Sequence, residues 1–286
     1  MGYFLALASS LVWGFSDFFG GTLSRRRPAL AIVGASYVAS VVVLVLLNAV
    51  RGQLSFGDAS VGWGVCAGVV GLIGIVAFYA ALAGGTMGVV SPIAALGVSV
   101  PVLVGLVQGE RPSVVQVTGI AVAVVGVVVA SGPELRGRGA AGSPMTAATL
   151  RPMLLAVVAA GGFGFFFVAL ARGSAEGSNV FATLLVMRLT SLTLVILIAL
   201  ALRSTGGLDP RTAGLAALVG IAEIAANALY AFSSQRGLLS IVSVLGSLYP
   251  AVTVVLARFV HSERMTRGQD GGVVAALVGV VLIAAG

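Results

Sequence analysis

The 286-residue chain contains no lysine, one histidine and one cysteine, and each scarcity excludes a class of chemistry. Without lysine there is no P-loop to cradle and hydrolyse a nucleotide. His261 alone cannot form a clustered histidine metal site or a zinc-protease helix, and Cys66 alone can form neither an internal disulfide nor a thiolate metal centre. No Gly-x-Ser-x-Gly elbow is present. Neither metal nor cofactor is therefore expected, and an enzyme is not. Charge is scarce too: Asp, Glu and Arg make up 9% of the chain, against 59% hydrophobic residues. The formal charge of +7 comes from 16 arginines scattered over the connections, which is unlike a nucleic-acid footprint.

A mean hydropathy of +1.13 is incompatible with a soluble globular domain, so the bilayer is the solvent. A hydrocarbon core about 30 Å thick takes roughly 20 helical residues to cross. Ten apolar stretches of about that length can be marked: 3–23, 29–50, 61–83, 88–108, 113–131, 152–171, 178–202, 212–235, 238–260 and 267–285. They lack the alternation of barrel strands, so the expected fold is an all-α polytopic membrane protein. The first stretch has no preceding positive residue and no Ala-x-Ala after it, and reads as a retained helix rather than a signal peptide.

The chain is written twice. Gly109-Glu110-Arg111 and Ser262-Glu263-Arg264 are 153 residues apart, and the same offset pairs Ser113 with Thr266, Gln116 with Gln269, Gly119 with Gly272 and Gly126 with Gly279. Trp13-Gly14-Phe15 matches Phe163-Gly164-Phe165, and Tyr79-Ala80 matches Tyr230-Ala231, at slightly shorter offsets. The expected organisation is a first five-helix repeat over 1–131, a Gly-, Ala-, Pro- and Arg-rich linker over 132–151, and a second five-helix repeat over 152–286. An odd number of crossings per repeat inverts the second copy, and inverted repeats enclose a site between them. Pro92 and Pro101 in the fourth stretch and Pro250 in the ninth bend their helices. Pro250 falls opposite Gly97 when counted from Glu-Arg, and opposite Pro101 when counted from Gly88 and Gly237.

Apart from Arg267 and Asp270 at the start of the last stretch, only Asp17, Arg188, Glu223 and Arg258 are charged within the apolar stretches, and Arg258 is close enough to its helix end to snorkel. A charge in mid-span costs at least about 2.5–3.5 kcal/mol and needs a partner or a cavity. If Arg188 pairs with one acid, the other is left to bind substrate or carry a proton. Glu223 is preferred for that role, because it shares a helix face with Asn227 and Tyr230. Asp17 sits on a stripe with Ser10, Trp13 and Gly21, an aromatic one turn from a carboxylate, which suits a cationic or aromatic ligand. Tyr79 and Tyr249 complete the candidate set of Glu223, Asp17, Arg188, Asn227, Trp13, Tyr230, Tyr79 and Tyr249. A static network of the same charges that only fixes helix packing is the competing reading. Glu110-Arg111 and Glu263-Arg264, at helix ends, read first as caps or local ion pairs.

The five-plus-five duplication, the Trp-Gly-Phe of the first helix and the Glu-Arg turn after the fourth helix of each half resemble the EamA-type branch of the drug/metabolite transporter superfamily. The resemblance covers the whole chain, and departs from the usual pattern in having Ser262 where the first half has Gly109, and in lacking an Arg at the start of the second helix. It implies two inverted five-helix bundles around a central cavity. It also implies secondary transport or export of small metabolites, amino acids or drugs across the cell membrane, by alternating access and with protons as a candidate coupling ion. An uncoupled facilitator and a non-transporting membrane partner protein are the alternatives. Ten arginines in odd-numbered connections against four in even ones place the termini outside, whereas the resemblance implies cytoplasmic termini.

Overall fold

The computed structural model describes residues 1–52, 57–85, 87–131, 147–175, 178–203, 207–261 and 267–285. Among these all regular structure is helical: α1 (Gly2–Ser24), α2 (Ala29–Arg51), α3 (Asp58–Gly84), α4 (Met87–Ala95), the 3-10 turn η1 (Leu96–Val98), α5 (Ser99–Val107), α6 (Val114–Ser131), α7 (Ala147–Gly173), α8 (Val180–Ala201), α9 (Pro210–Ser234), α10 (Leu239–Gly246), α11 (Tyr249–His261) and α12 (Arg267–Ala285). Seven segments are long and apolar enough to cross a membrane, and Ile93–Val107 and Val114–Gly126 are shorter apolar helices. Large apolar side chains such as Phe4, Leu46, Val50 and Leu200 stand exposed, as they must where lipid is the solvent. The protein is a multi-pass integral membrane protein.

Helix ends are set by short-range chemistry. The Asn179 side chain accepts the amide hydrogens of Phe181 and Ala182 to start α8. Asp209 starts α9 ahead of Pro210, accepting from the Thr212 amide and hydroxyl, and these bonds hold its carboxyl down at about 2. At α6 the Ser113 amide donates to Gln116 Oε1 at 2.9 Å and the Gln116 amide to Ser113 Oγ at 3.1 Å, a reciprocal capping box. The duplicated Ser/Thr and Gln spacing therefore has a structural meaning in the first half. Its second copy begins at Thr266, and that residue, like Ser262-Glu263-Arg264, lies outside the described residues. So does most of the expected linker; α7 starts at Ala147, so the last residues of that stretch are already helix, with Pro152 inside its early turns.

The fourth and ninth apolar stretches are not continuous helices. One is broken at η1 between α4 and α5, the other at Ser247–Leu248 between α10 and α11. Pro101 and Pro250 each fall in the first turn of the piece after the break, where a missing amide hydrogen costs nothing. The two prolines are thus structural counterparts. The 13 residues of α11 exceed the 9 of α5 by one helical turn, which accounts for the conflict between the two counts made from the sequence.

The halves interleave. α1 packs on α9 as α3 packs on α7; α2 packs on α9 as α3 packs on α8; α2 meets α8 and α6 meets α12. Every heavy contact between halves has its counterpart, the mark of a two-fold relation between repeats. Small residues and hydroxyls make these crossings close. Ser36 and Ser40 of α2 donate to the Ala216 and Gly220 carbonyls of α9 at 2.8 and 2.9 Å, and a Cβ on Gly220 would strike the Ser36 carbonyl. Across α3 and α7, a Cβ on Gly162 would lie 2.7 Å from the Gly74 backbone. Without a hydrophobic effect between helices in lipid, such backbone approach is what supplies dispersion contacts.

Candidate functional site

The deep charges converge. Trp13 and Asp17 of α1, Arg188 of α8, and Glu223 and Asn227 of α9 all line one cavity of about 60 Å³. Phe163, Phe166 and Phe167 of α7, Tyr37 of α2, Gly71 and Ile75 of α3, and Tyr249 at the start of α11 close its wall. Both halves contribute. A water needs roughly 10–15 Å³ of such space, so this conformation has room for a few waters or one compact solute.

Arg188 Nη2 donates to Glu223 Oε2 at 2.8 Å, and both side chains are under a tenth exposed. The other Glu223 oxygen accepts from the Tyr79 hydroxyl at 3.3 Å. The guanidinium carbon stands 4.3 Å from the centroid of the Tyr37 ring, which spreads the positive charge over a π-face. Glu223 is therefore engaged at both oxygens. Asp17, only 5% exposed, makes no hydrogen bond or ion pair with a described residue, and its electrostatic neighbour is Glu223, a charge of the same sign. Among the described residues the acid left without a counter-ion is Asp17 rather than Glu223, because α8 delivers Arg188 against α9 and not against α1.

Six of the eight sequence candidates line the cavity: Trp13, Asp17, Arg188, Glu223, Asn227 and Tyr249. The Trp13 indole donates to Asn227 Oδ1 at 3.1 Å, tying α1 to α9 in the cavity wall. Tyr79 stands behind Glu223 and positions it. Tyr230 is wholly buried outside the wall; its hydroxyl bonds the Ser243 hydroxyl at 2.8 Å and donates to the Phe167 carbonyl at 3.3 Å, while its ring supports Trp13. The shared helix face of Glu223 and Asn227 turns away from the cavity before it reaches Tyr230. Within the wall, the Tyr249 hydroxyl and Arg188 Nε have no hydrogen-bond partner among the described residues.

Sequence reasoning passed over Tyr37 and the three of α7's four phenylalanines that line the cavity, Phe163, Phe166 and Phe167. A signal for Phe163 existed: it stands opposite Trp13 in the repeat match, and both line the cavity. Phe15 and Phe165, matched in the same motif, are exposed to lipid.

Glu110 is not a residue of the cavity. Its carboxylate accepts from the amide hydrogens of Leu239 at 2.6 Å and Ser240 at 3.0 Å, capping α10 of the opposite half. Gly109 at φ +90° makes the turn that carries it there, a conformation costly for other residues.

A polytopic helical protein with two interleaved halves around a buried charged cavity has the build of a membrane carrier. The chain matches the EamA-like transporter family over residues 1–132 and 150–285, and it belongs to that family, in the drug/metabolite transporter superfamily. This is a family of transporters and not of enzymes, whose members work on small molecules in the bilayer. One solved crystal structure aligns with a TM-score of 0.76 at 15% identity, covering 99% of this chain and 97% of the other, a likeness of fold. No functionally curated protein matches the chain.

Proposed function

We propose that the protein is a secondary carrier that exports a small organic solute, such as an amino acid or drug-like metabolite, across the plasma membrane by alternating access. The observation that carries this reading is the cavity built from both halves with one buried carboxylate in its wall that has no counter-ion among the described residues. A static packing network would leave no such group, since an isolated buried charge is costly unless something fills the site. Ten crossings, five in each of two inverted repeats, would let the two halves exchange conformations and so expose the site to either side. The breaks at η1 and at Ser247–Leu248 supply points of bending, and Tyr249 links the second break directly to the cavity wall. Proton coupling runs through Asp17, whose charge a proton or a solute would balance.

The test is solute-driven proton movement in proteoliposomes of the purified protein, read by a trapped pH dye beside uptake of labelled solute. A proton signal triggered by one solute class, and lost in Asp17→Asn, is the expected result. Solute flux without a proton signal would reduce the protein to a facilitator. No flux of any solute from protein shown to be folded would sink the carrier reading in favour of a membrane partner protein.

A further inference from the structure

The charge balance of the cavity narrows the solute, given the carrier reading above. Two acids and one base line it: Asp17, Glu223 and Arg188. Glu223 and Arg188 form a closed pair, with the second Glu223 oxygen bonded to Tyr79 and the guanidinium over Tyr37. With both acids ionised, the wall carries one net negative charge, and it sits on Asp17. A monocation brings the site to neutrality. A zwitterion leaves the deficit in place, and an anion doubles it, in surroundings where an unbalanced charge is expensive.

The rest of the wall fits the same occupant. Trp13, Phe163, Phe166, Phe167 and Tyr249 give the cavity its surface, and aromatic faces attract ammonium groups most strongly when water is excluded. Trp13 is one helical turn from Asp17 on α1, so ring and counter-ion reach the same ligand. The Tyr249 hydroxyl has no hydrogen-bond partner among the described residues and stands in the same wall, where its oxygen can accept from an N–H. About 60 Å³ of room sets the size.

We propose that the cavity recognises a compact organic monocation, a small alkylammonium or quaternary ammonium ion, with Asp17 as its counter-ion and the five aromatic rings as its enclosure. Asp17 is a binding residue in this account, and Glu223 with Arg188 positions the wall around it.

The experiment measures binding of methylammonium and tetramethylammonium to the purified full-length protein in detergent by titration calorimetry, beside tert-butanol, alanine and propionate, with the same labelled solutes followed in proteoliposomes. One or both ammonium ions are expected to bind at least about tenfold more tightly than the neutral, zwitterionic and anionic probes. Asp17→Asn should raise the ammonium Kd by at least about tenfold, since it removes the charge that faces the ligand, and Asp17→Glu should restore most of it. Should Asp17→Asn fail to fold, as judged by thermal unfolding, the wild-type discrimination between tetramethylammonium and tert-butanol decides alone, because the two are close in shape and differ in charge. Preferred binding of alanine or propionate, or an ammonium Kd unchanged in folded Asp17→Asn, would overturn the cation site. Flux of a neutral or anionic solute without ammonium binding would overturn it too and leave the carrier intact. Ammonium binding without flux of any solute would keep the site and remove the carrier.

Discussion

At the scale of single residues, the molecule separates two buried acids that the sequence leaves equivalent. Glu223 has a cation, a hydroxyl and a stacked ring arranged around that cation, while Asp17 lines the cavity with no hydrogen bond or ion pair among the described residues. Removing one member of a buried ion pair leaves the other uncompensated, and such losses run to about 3–5 kcal/mol. Glu223→Gln is therefore expected to lower the thermal unfolding temperature in detergent, and Arg188→Met to do the same. The double variant Glu223→Gln, Arg188→Met should recover much of the loss, because no charge is then stranded. Asp17→Asn, by contrast, removes a charge that no described residue offsets and should leave stability unchanged or raise it. A Glu223→Gln variant as stable as wild type would show that the pair is not the anchor of this wall.

At the scale of elements, what the sequence showed and what it hid divide along physical lines. The apolar stretches were legible because a bilayer demands about 20 uninterrupted apolar residues, a signal few soluble sequences imitate. The charged part of the site was legible for the converse reason: Asp17, Arg188 and Glu223 are conspicuous among leucines and valines. The breaks in the fourth and ninth stretches were not, since Leu96–Val98 and Ser247–Leu248 are made of the same residues as the helices around them. Nor were Phe166 and Phe167, whose neighbour Phe165 faces lipid, because a period alone does not say which face meets protein. Least legible was the cap of α10, since its acceptor comes from a residue 129 positions away in the other half. α10 is only eight residues long and has no side-chain cap of its own. Glu110→Ala should thus cost about 1 kcal/mol, up to about 2, by freeing two amide hydrogens at a short helix start. Glu110→Gln, which keeps an acceptor oxygen, should cost less. The order of unfolding temperatures, wild type above Glu110→Gln above Glu110→Ala, checks this, and equal values for all three would show that α10 is held by packing alone.

At the scale of the whole molecule, neither half is a domain in the usual sense. α1 buries its polar stripe on α9 of the other half, with Ser9 donating to the Ala226 carbonyl at 2.8 Å, and α3 meets α8 where Ser191 donates to the Gly68 carbonyl at 2.8 Å. Separated, each half would present to lipid the hydroxyls, glycine faces and one or more deep charges that the other half now covers: Asp17 would remain on the first, Arg188 and Glu223 on the second. In lipid such groups have no solvent to satisfy them. The ends of the family matches, at residues 132 and 150, mark where the chain can be divided without cutting a crossing. Residues 1–140 and 141–286 expressed as two polypeptides should accumulate and co-purify through a tag on either one when made together. Made singly, each should be degraded or aggregate, the second more severely, because it carries the ion pair and the α10 start that loses Glu110. The level of each tagged half in solubilised membranes, alone and with its partner, gives the answer. Halves that accumulate equally well alone, and fail to associate when mixed, would mean that the interleaved contacts are not what holds the protein together, and that the cavity between them is not a fixed feature of the fold.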